Sequence, residues 1–210
     1  MYIPKAFNEP DTGVQVAFMR AHSLAIVVST IDGTPFATHA PVFVRAHEDA
    51  NGARIELAGH FALANPQARM MDDTEVLVIF SGPNAYVSPS LYEEREAVPT
   101  WNYMAVHAYG IAKTFTAKLD AAKTERLLRE TIDVFEPAYA AQWETLSETY
   151  RNARMRELVG FNVAVSRLEG KFKLSQNRPL HDRQNVAESL SKSNDPSAAE
   201  VGKCMKQRLP

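Results

Sequence analysis

The chain has 210 residues, 45% hydrophobic and 23% charged, a balance that suits one well-buried globular core and excludes a disordered or fibrous chain. Its 23 basic and 25 acidic residues leave a formal charge of −2, which excludes phosphate-backbone binding by the surface as a whole; a DNA contact would need a local patch. Cys204 is the single cysteine, so an intramolecular disulfide and a cysteine-rich zinc site are both excluded and a reducing compartment is expected.

Met1-Tyr2-Ile3-Pro4-Lys5 lacks the charged-then-apolar order of a signal peptide, and the longest apolar run, residues 24–28, is too short for a bilayer. The expected location is the cytoplasm, with no membrane contact. Asp11 or Thr12 can cap a first helix whose Val14, Ala17, Phe18 and Ala21 share one face. Residues 24–30 and 36–45 read as two strands of a hairpin turned at Asp32-Gly33. Asn51-Gly52 predicts a turn before a strand at 54–59, and residues 75–81 predict another, ended by a turn at Gly82-Pro83-Asn84. Residues 85–88 can continue the sheet.

Residues 103–115 predict a long strand in which Gly110 permits a bend or bulge. Asp120 caps a helix to about Phe135 with Leu128, Ile132 and Phe135 on one face, and a second helix is expected to end at Gly160. Phe161, Val163 and Val165 alternate with Asn162, Ala164 and Ser166 in a final strand. After Pro179 the chain is polar and helical, and its Ser/Asn/Asp-rich stretch at 189–197 fits a linker to a terminal helix. About six strands with few parallel crossovers predict a mainly β, α+β fold: a closed or nearly closed antiparallel barrel with peripheral helices.

Three groupings could carry chemistry. Residues 82–92 and Val98-Pro99-Thr100-Trp101-Asn102-Tyr103 combine rigid loops with rings, amides and hydroxyls, which suits a planar heteroaromatic ligand and equally suits a plug at a barrel end. In Gly59-His60-Phe61-Ala62-Leu63-Ala64-Asn65-Pro66 a helix start could meet an anion, and His60 could be a phosphate donor, a proton carrier, a haem ligand or a structural residue. In Gly170-Lys171-Phe172-Lys173-Leu174-Ser175-Gln176-Asn177-Arg178, an extended backbone would point Lys171, Lys173, Ser175 and Asn177 to one side, as a phosphate site or as a lysine-protected edge. His39, His60 and His107 lack local metal-ligand spacing, so no metal is expected. Arg151, Arg154 and Arg156, interleaved with Glu157, read as a solvated helix face. No G-x-S-x-G, P-loop, G-x-G-x-x-G or H-E-x-x-H motif occurs.

Taken in order, Met1-Tyr2-Ile3-Pro4, Ala37-Thr38-His39-Ala40-Pro41, Gly59-His60, Ala64-Asn65-Pro66, Tyr86-Val87-Ser88-Pro89, Val98-Pro99-Thr100-Trp101-Asn102-Tyr103 and Lys171 to Asn177 resemble the PaiB-type FMN-binding negative transcriptional regulators. The pair V-P-T-W-N-Y and K-x-K-L-S-Q-N is the specific part of the match. The resemblance implies an antiparallel six-stranded split β-barrel of the pyridoxamine-phosphate-oxidase-like kind, spanning residues 1–190 with helices inserted at about 120–158 and a helical polar tail at 191–210. It also implies a homodimer with FMN in a groove between two barrels. By the same resemblance, His60 and Asn65 lie near the phosphate or ribityl chain and Lys171, Lys173 and Ser175 supply cationic and hydroxyl contacts. Trp101, Asn102 and Tyr103 then border the ring, and Gln176 and Asn177 meet its pyrimidine edge. One departure stands out: Leu63 occupies the place of an arginine in the family's pattern.

The implied function is an FMN-binding regulator acting on DNA or through a regulatory protein, although no helix-turn-helix pattern is recognisable. The alternatives are a flavin-dependent oxidoreductase or reductase, for which no acid or base stands out, and a haem-binding protein with an axial histidine.

Overall fold

A computed structural model of the protein describes residues 1–49 and 52–210, with only the backbone of 47–49, 52 and 53. Asn51 of the expected Asn51-Gly52 turn therefore lies outside the described residues. The strands are β1 (Asn8–Glu9), β2 (Leu24–Ile31), β3 (Thr34–Asp49), β4 (Gly52–Ala62), β5 (Glu75–Val87), β6 (Thr100–Thr116) and β7 (Leu158–Lys173). They pair in the order β1-β7-β4-β3-β2-β5-β6, and β7 also pairs with β6, so the six longer strands form a closed circuit of pairings. The sheet has seven strands rather than the expected six. The extra one, β1, is two residues long, too short to show a period, and exists through the partners Asn8↔Lys171 and Glu9↔Gly170.

The chain divides into two compact units, Met1–Gln15 with Ser81–Val106 and Glu169–Pro210, and Val16–Phe80 with His107–Leu168. In the second unit the β2–β3 hairpin closes on Asp32 and Gly33, with φ of 49° and 77°, as a two-residue turn with both positions left-handed requires. β4 pairs antiparallel with β3 and with β7, and β5 with β2. Val27, Val42, Leu57, Val78, Phe80 and Phe161 are fully buried where these strands alternate inward.

Between β6 and β7 come α3 (Ala121–Phe135), α4 (Ala140–Thr145) and α5 (Glu148–Arg156), and the Asp120 carboxylate accepts the Lys123 N–H at 2.8 Å as the helix cap of α3. The buried side of α3 is Thr124 and Leu127, which joins Phe43, Ala58 and Phe115 in a core cluster; the expected face of Leu128, Ile132 and Phe135 is not buried, and Phe135 is exposed. Arg45 fixes that rotation by pairing with Glu56 of β4 and Glu130 of α3. Gly160 ends no helix: it lies in β7, where an added Cβ would sit 2.5 Å from the Phe115 ring and 2.9 Å from Leu127. Gly110 serves a similar close approach, because a Cβ there would be 2.1 Å from the Ala164 carbonyl oxygen. Arg151 and Arg154 pair with Glu144 and Glu157 on the helical insertion.

The helix α1 (Thr12–Ala21) is capped by Asp11, whose carboxylate accepts the Val14 N–H at 3.0 Å. Its buried residues are Gln15, Val16, Phe18 and Met19; Ala17 and Ala21 face out, because Gln15 donates inward to the Glu9 carbonyl and turns the helix.

In the first unit, β5 runs through Gly82-Pro83-Asn84 without turning. The Asn84 N–H donates to the Ser197 hydroxyl, which donates back to the Asn84 carbonyl, both at 2.8 Å, so one side chain satisfies both backbone groups of Asn84 as the strand continues. β7 ends at Lys173, and Ser175 has a φ of 63°, so the expected extended row Lys171, Lys173, Ser175 and Asn177 is broken at its third member. The rest is the helix pair α6 (Leu180–Ser191) and α7 (Pro196–Gln207), joined by a short turn within the Ser/Asn/Asp-rich stretch and capped by Asp195. Among the described residues no helix is long and apolar enough to cross a membrane.

Candidate functional site

Eight of the ten expected site residues fall in the first unit. β6 alternates there: Trp101 is 54% exposed, Asn102 is fully buried and Tyr103 is half-buried, so the two rings share a side and the amide takes the other. Lys171 and Lys173 share a side of β7 for the same reason. The Lys173 ammonium donates to the Thr100 hydroxyl and the Trp101 carbonyl, and lies 5.9 Å from the centre of the Phe7 ring. The Lys171 ammonium, on a side chain only 9% exposed, lies over the rings of Tyr103 and Tyr2 at 5.2 and 5.6 Å. Beside Trp101, the half-exposed Tyr86 ring meets the indole edge-on at 6.0 Å.

Electrostatics give this group its direction. Neither lysine has a carboxylate partner among the described residues, and burial together with the Lys171 charge holds the Lys173 ammonium below the ordinary 10.5. Two desolvated like charges form a site that an anion stabilises. With exposed planar rings alongside, the donor set fits a phosphate-bearing heteroaromatic molecule.

Asn102, Ser175 and Gln176 are inward-facing or already engaged. The Asn102 amide donates to the Ser175 hydroxyl at 2.9 Å and to the Met205 sulfur at 3.4 Å. Gln176 donates to the Phe172 carbonyl and accepts the Leu174 N–H at 2.7 Å, which closes the turn after β7 and uses both ends of its amide. Asn177 is exposed on that turn. Thr100, Tyr2 and Tyr86 join the group without having been expected as site residues. All three stood inside the quoted motifs, Tyr2 in Met1-Tyr2-Ile3-Pro4, without a role being assigned to them.

His60 and Asn65 belong to the second unit. The Asn65 amide donates to the Thr38 hydroxyl at 3.0 Å and accepts the Gln67 N–H at 2.9 Å, so it fastens the start of α2 (Gln67–Met70). Gln67 is fully buried and donates to the Val27 carbonyl at 2.9 Å and the Ser29 hydroxyl at 3.1 Å, holding the loop that carries Leu63 and Asn65, which follows the strand of His60, against β2. Burial holds the His60 imidazole below the ordinary 6.5, so at neutral pH it is uncharged and acts as a hydrogen-bonding group rather than a cation. The unfolded chain takes up that proton near 6.5 and the folded chain only at lower pH, so the His60 contribution to stability is complete above 6.5 and falls as pH drops below it. Urea midpoints measured across about pH 5 to 8 should fall toward acid in the wild type and fall less in His60→Asn; parallel curves would refute this. Among the described residues no cluster of three metal-ligating side chains occurs.

Residues 1–167 match the family model described as "Putative FMN-binding domain". Over its full 210 residues the chain is 37% identical to the Bacillus subtilis protein named "Protease synthase and sporulation protein PAI 2", covering 98% of that protein. Among solved structures it is similar to the flavocytochrome Anf3 from Azotobacter vinelandii, with a TM-score of 0.59 at 18% identity, covering 81% of this chain and 72% of that one. It is likewise similar to an FAD and heme binding protein from Mycobacterium smegmatis, with a TM-score of 0.59 at 17% identity over 79% of this chain and 73% of that one. These structures share the fold, mainly antiparallel β of the split-barrel class with peripheral helices. On the family match and the full-length identity, the chain belongs to the FMN-binding domain family.

Proposed function

We propose that this protein is an FMN-binding regulator, a flavoprotein whose occupancy by FMN governs its association with DNA or with a regulatory protein. The observation that carries the reading is the pair of desolvated lysines, Lys171 and Lys173, without a carboxylate partner among the described residues and set beside Trp101, Tyr103 and Thr100 in a chain of this family. In this reading Lys171 and Lys173 neutralise the phosphate, the Thr100 hydroxyl orients the Lys173 ammonium, and Trp101 and Tyr103 border the ring. Asn177 is the remaining exposed amide able to meet a polar ring edge, since Gln176 is committed to its turn. When bound, FMN supplies a redox-active planar ring whose oxidation state can change what its surroundings recognise.

The regulatory half rests on full-length similarity to a protein named for protease synthase and sporulation. A homodimer and a cytoplasmic location complete the proposal. The test is the visible spectrum of the freshly purified protein, followed by thermal melts with added FMN. A flavin band, or a melting temperature that climbs with FMN concentration, is expected, because a ligand bound only by the folded state adds about 2.7 kcal/mol at a hundredfold excess over Kd. A colourless protein that FMN does not stabilise would remove the flavin reading, and a Soret band would replace it with haem. A gel shift at physiological salt, with and without FMN, separates direct DNA binding from a protein partner.

A further inference from the structure

The C-terminal helix α7 and the residue just past it reach β5, β6 and β7, the strands of the first unit that carry Tyr86, Trp101, Tyr103, Lys171 and Lys173. On β5, two residues before Tyr86, the Asn84 backbone N–H and carbonyl exchange two hydrogen bonds of 2.8 Å with the Ser197 hydroxyl in the first turn of α7, which anchors the strand itself. On β6, the buried Asn102 stands between Trp101 and Tyr103 and donates at 3.4 Å to the sulfur of Met205. On β7, Phe172 stands between Lys171 and Lys173, and the Arg208 guanidinium just past α7 lies 4.8 Å from its ring centre. Arg208 also pairs at 2.8 Å with Glu9, whose strand runs beside Lys171.

In a strand, neighbouring side chains point to opposite faces, so a residue fixed from behind sets the aim of the two beside it. Met205 holds Asn102, and Asn102 in turn holds Ser175 at 2.9 Å, in the left-handed backbone position that ends the lysine-bearing strand. One helix thereby sets the mutual placement of the cations and the rings. The family match ends at residue 167, so α7 lies outside it.

We infer that α7 is the positioning wall of the cofactor site, with Met205 and Arg208 acting through Asn102 and Phe172, and Ser197 through the β5 backbone at Asn84, without touching the ligand. The inference rests on the flavin reading for the identity of that ligand. Its mechanism is pre-organisation: groups held in place before binding cost less to order when the ligand arrives.

The experiment uses the full chain labelled with 5-fluorotryptophan, giving one resonance for Trp101 and one for Trp143, and the single variants Ser197→Ala, Met205→Leu, Arg208→Met and Arg208→Lys. Ser197 and Arg208 are partly exposed and Met205→Leu conserves volume, so folded variants are expected, and the Trp143 resonance checks this. The expected result is a broadened or divided Trp101 resonance and about tenfold weaker FMN binding in the first three, with Arg208→Lys recovering most of the affinity because the Glu9 pair and the cation over Phe172 return. Folded variants with a wild-type Trp101 resonance and wild-type affinity would overturn the inference. Should the wild type bind no FMN, the flavin reading falls by itself, and the Trp101 resonance still decides the role of α7.

Discussion

Replacing Lys171 and Lys173 together by methionine is expected to weaken FMN binding by roughly a hundredfold or more while changing the stability of the cofactor-free protein little. Each hydrogen bond from an ammonium to a phosphate is worth about 1.5–3 kcal/mol, so losing two removes roughly 3 kcal/mol or more of binding energy. Methionine keeps the length and apolar stem of each side chain, so the packing against Tyr103, Tyr2 and Phe7 survives. The cofactor-free protein gives up the Lys173 bonds to Thr100 and the Trp101 carbonyl and the cation–ring contacts, and is relieved of a desolvation cost and a mutual repulsion, the two causes that hold Lys173 below its ordinary value, so the two sides offset. The sign of the pH effect follows. A bound phosphate favours the protonated Lys173, so affinity is full below its lowered value and declines as pH rises through it. Equilibrium titration of flavin fluorescence checks both statements, and an unchanged Kd in the double variant would exclude the lysines from the site.

The largest effect on folding is expected at Gly110. A Cβ at this position would lie 2.1 Å from the Ala164 carbonyl oxygen and 2.8 Å from its carbon, and both are backbone atoms of a paired strand that cannot rotate aside. Gly110→Val should therefore cost about 3 kcal/mol or more, at the upper end of what overpacking a core does. Gly33 provides the contrast: its surroundings are open but its φ is +77°, so Gly33→Asn should cost only a few tenths of a kcal/mol, since asparagine tolerates that conformation in a hairpin turn. Urea unfolding of both variants measures the difference. A Gly110→Val protein with the wild-type midpoint would mean that β6 and β7 can separate at that point without loss.

The strands were legible because their signals are local. The two left-handed positions at Asp32-Gly33 and the alternation along 161–165 need no knowledge of the rest of the chain. Errors came where a distant residue decides. Gly82-Pro83-Asn84 has the composition of a turn, yet Ser197 satisfies Asn84 and the strand continues. The buried side of α1 is set by a bond from Gln15 to Glu9, and that of α3 by packing on Phe115 together with the Arg45–Glu130 pair, neither visible in the helical period. β1 lies below the length at which any period exists.

The motifs were legible in the sequence; what each of their amides bonds to was not. V-P-T-W-N-Y and K-x-K-L-S-Q-N do meet, but alternation along β6 sends Asn102 inward, and Gln176 spends its amide on its own turn. Asn65 likewise serves Thr38 and Gln67. Amides are as useful for fastening backbone as for reading a ligand, and composition alone does not separate the two uses.

The two lysines also have an expected consequence for the life of the chain in a cell. A native state in which a buried and a half-buried ammonium face each other populates its open forms less often once an anion binds there, and quality-control proteases act on open forms. On the proposed assignment of these lysines to the FMN phosphate, the expected result is a protein whose turnover slows as the flavin supply rises.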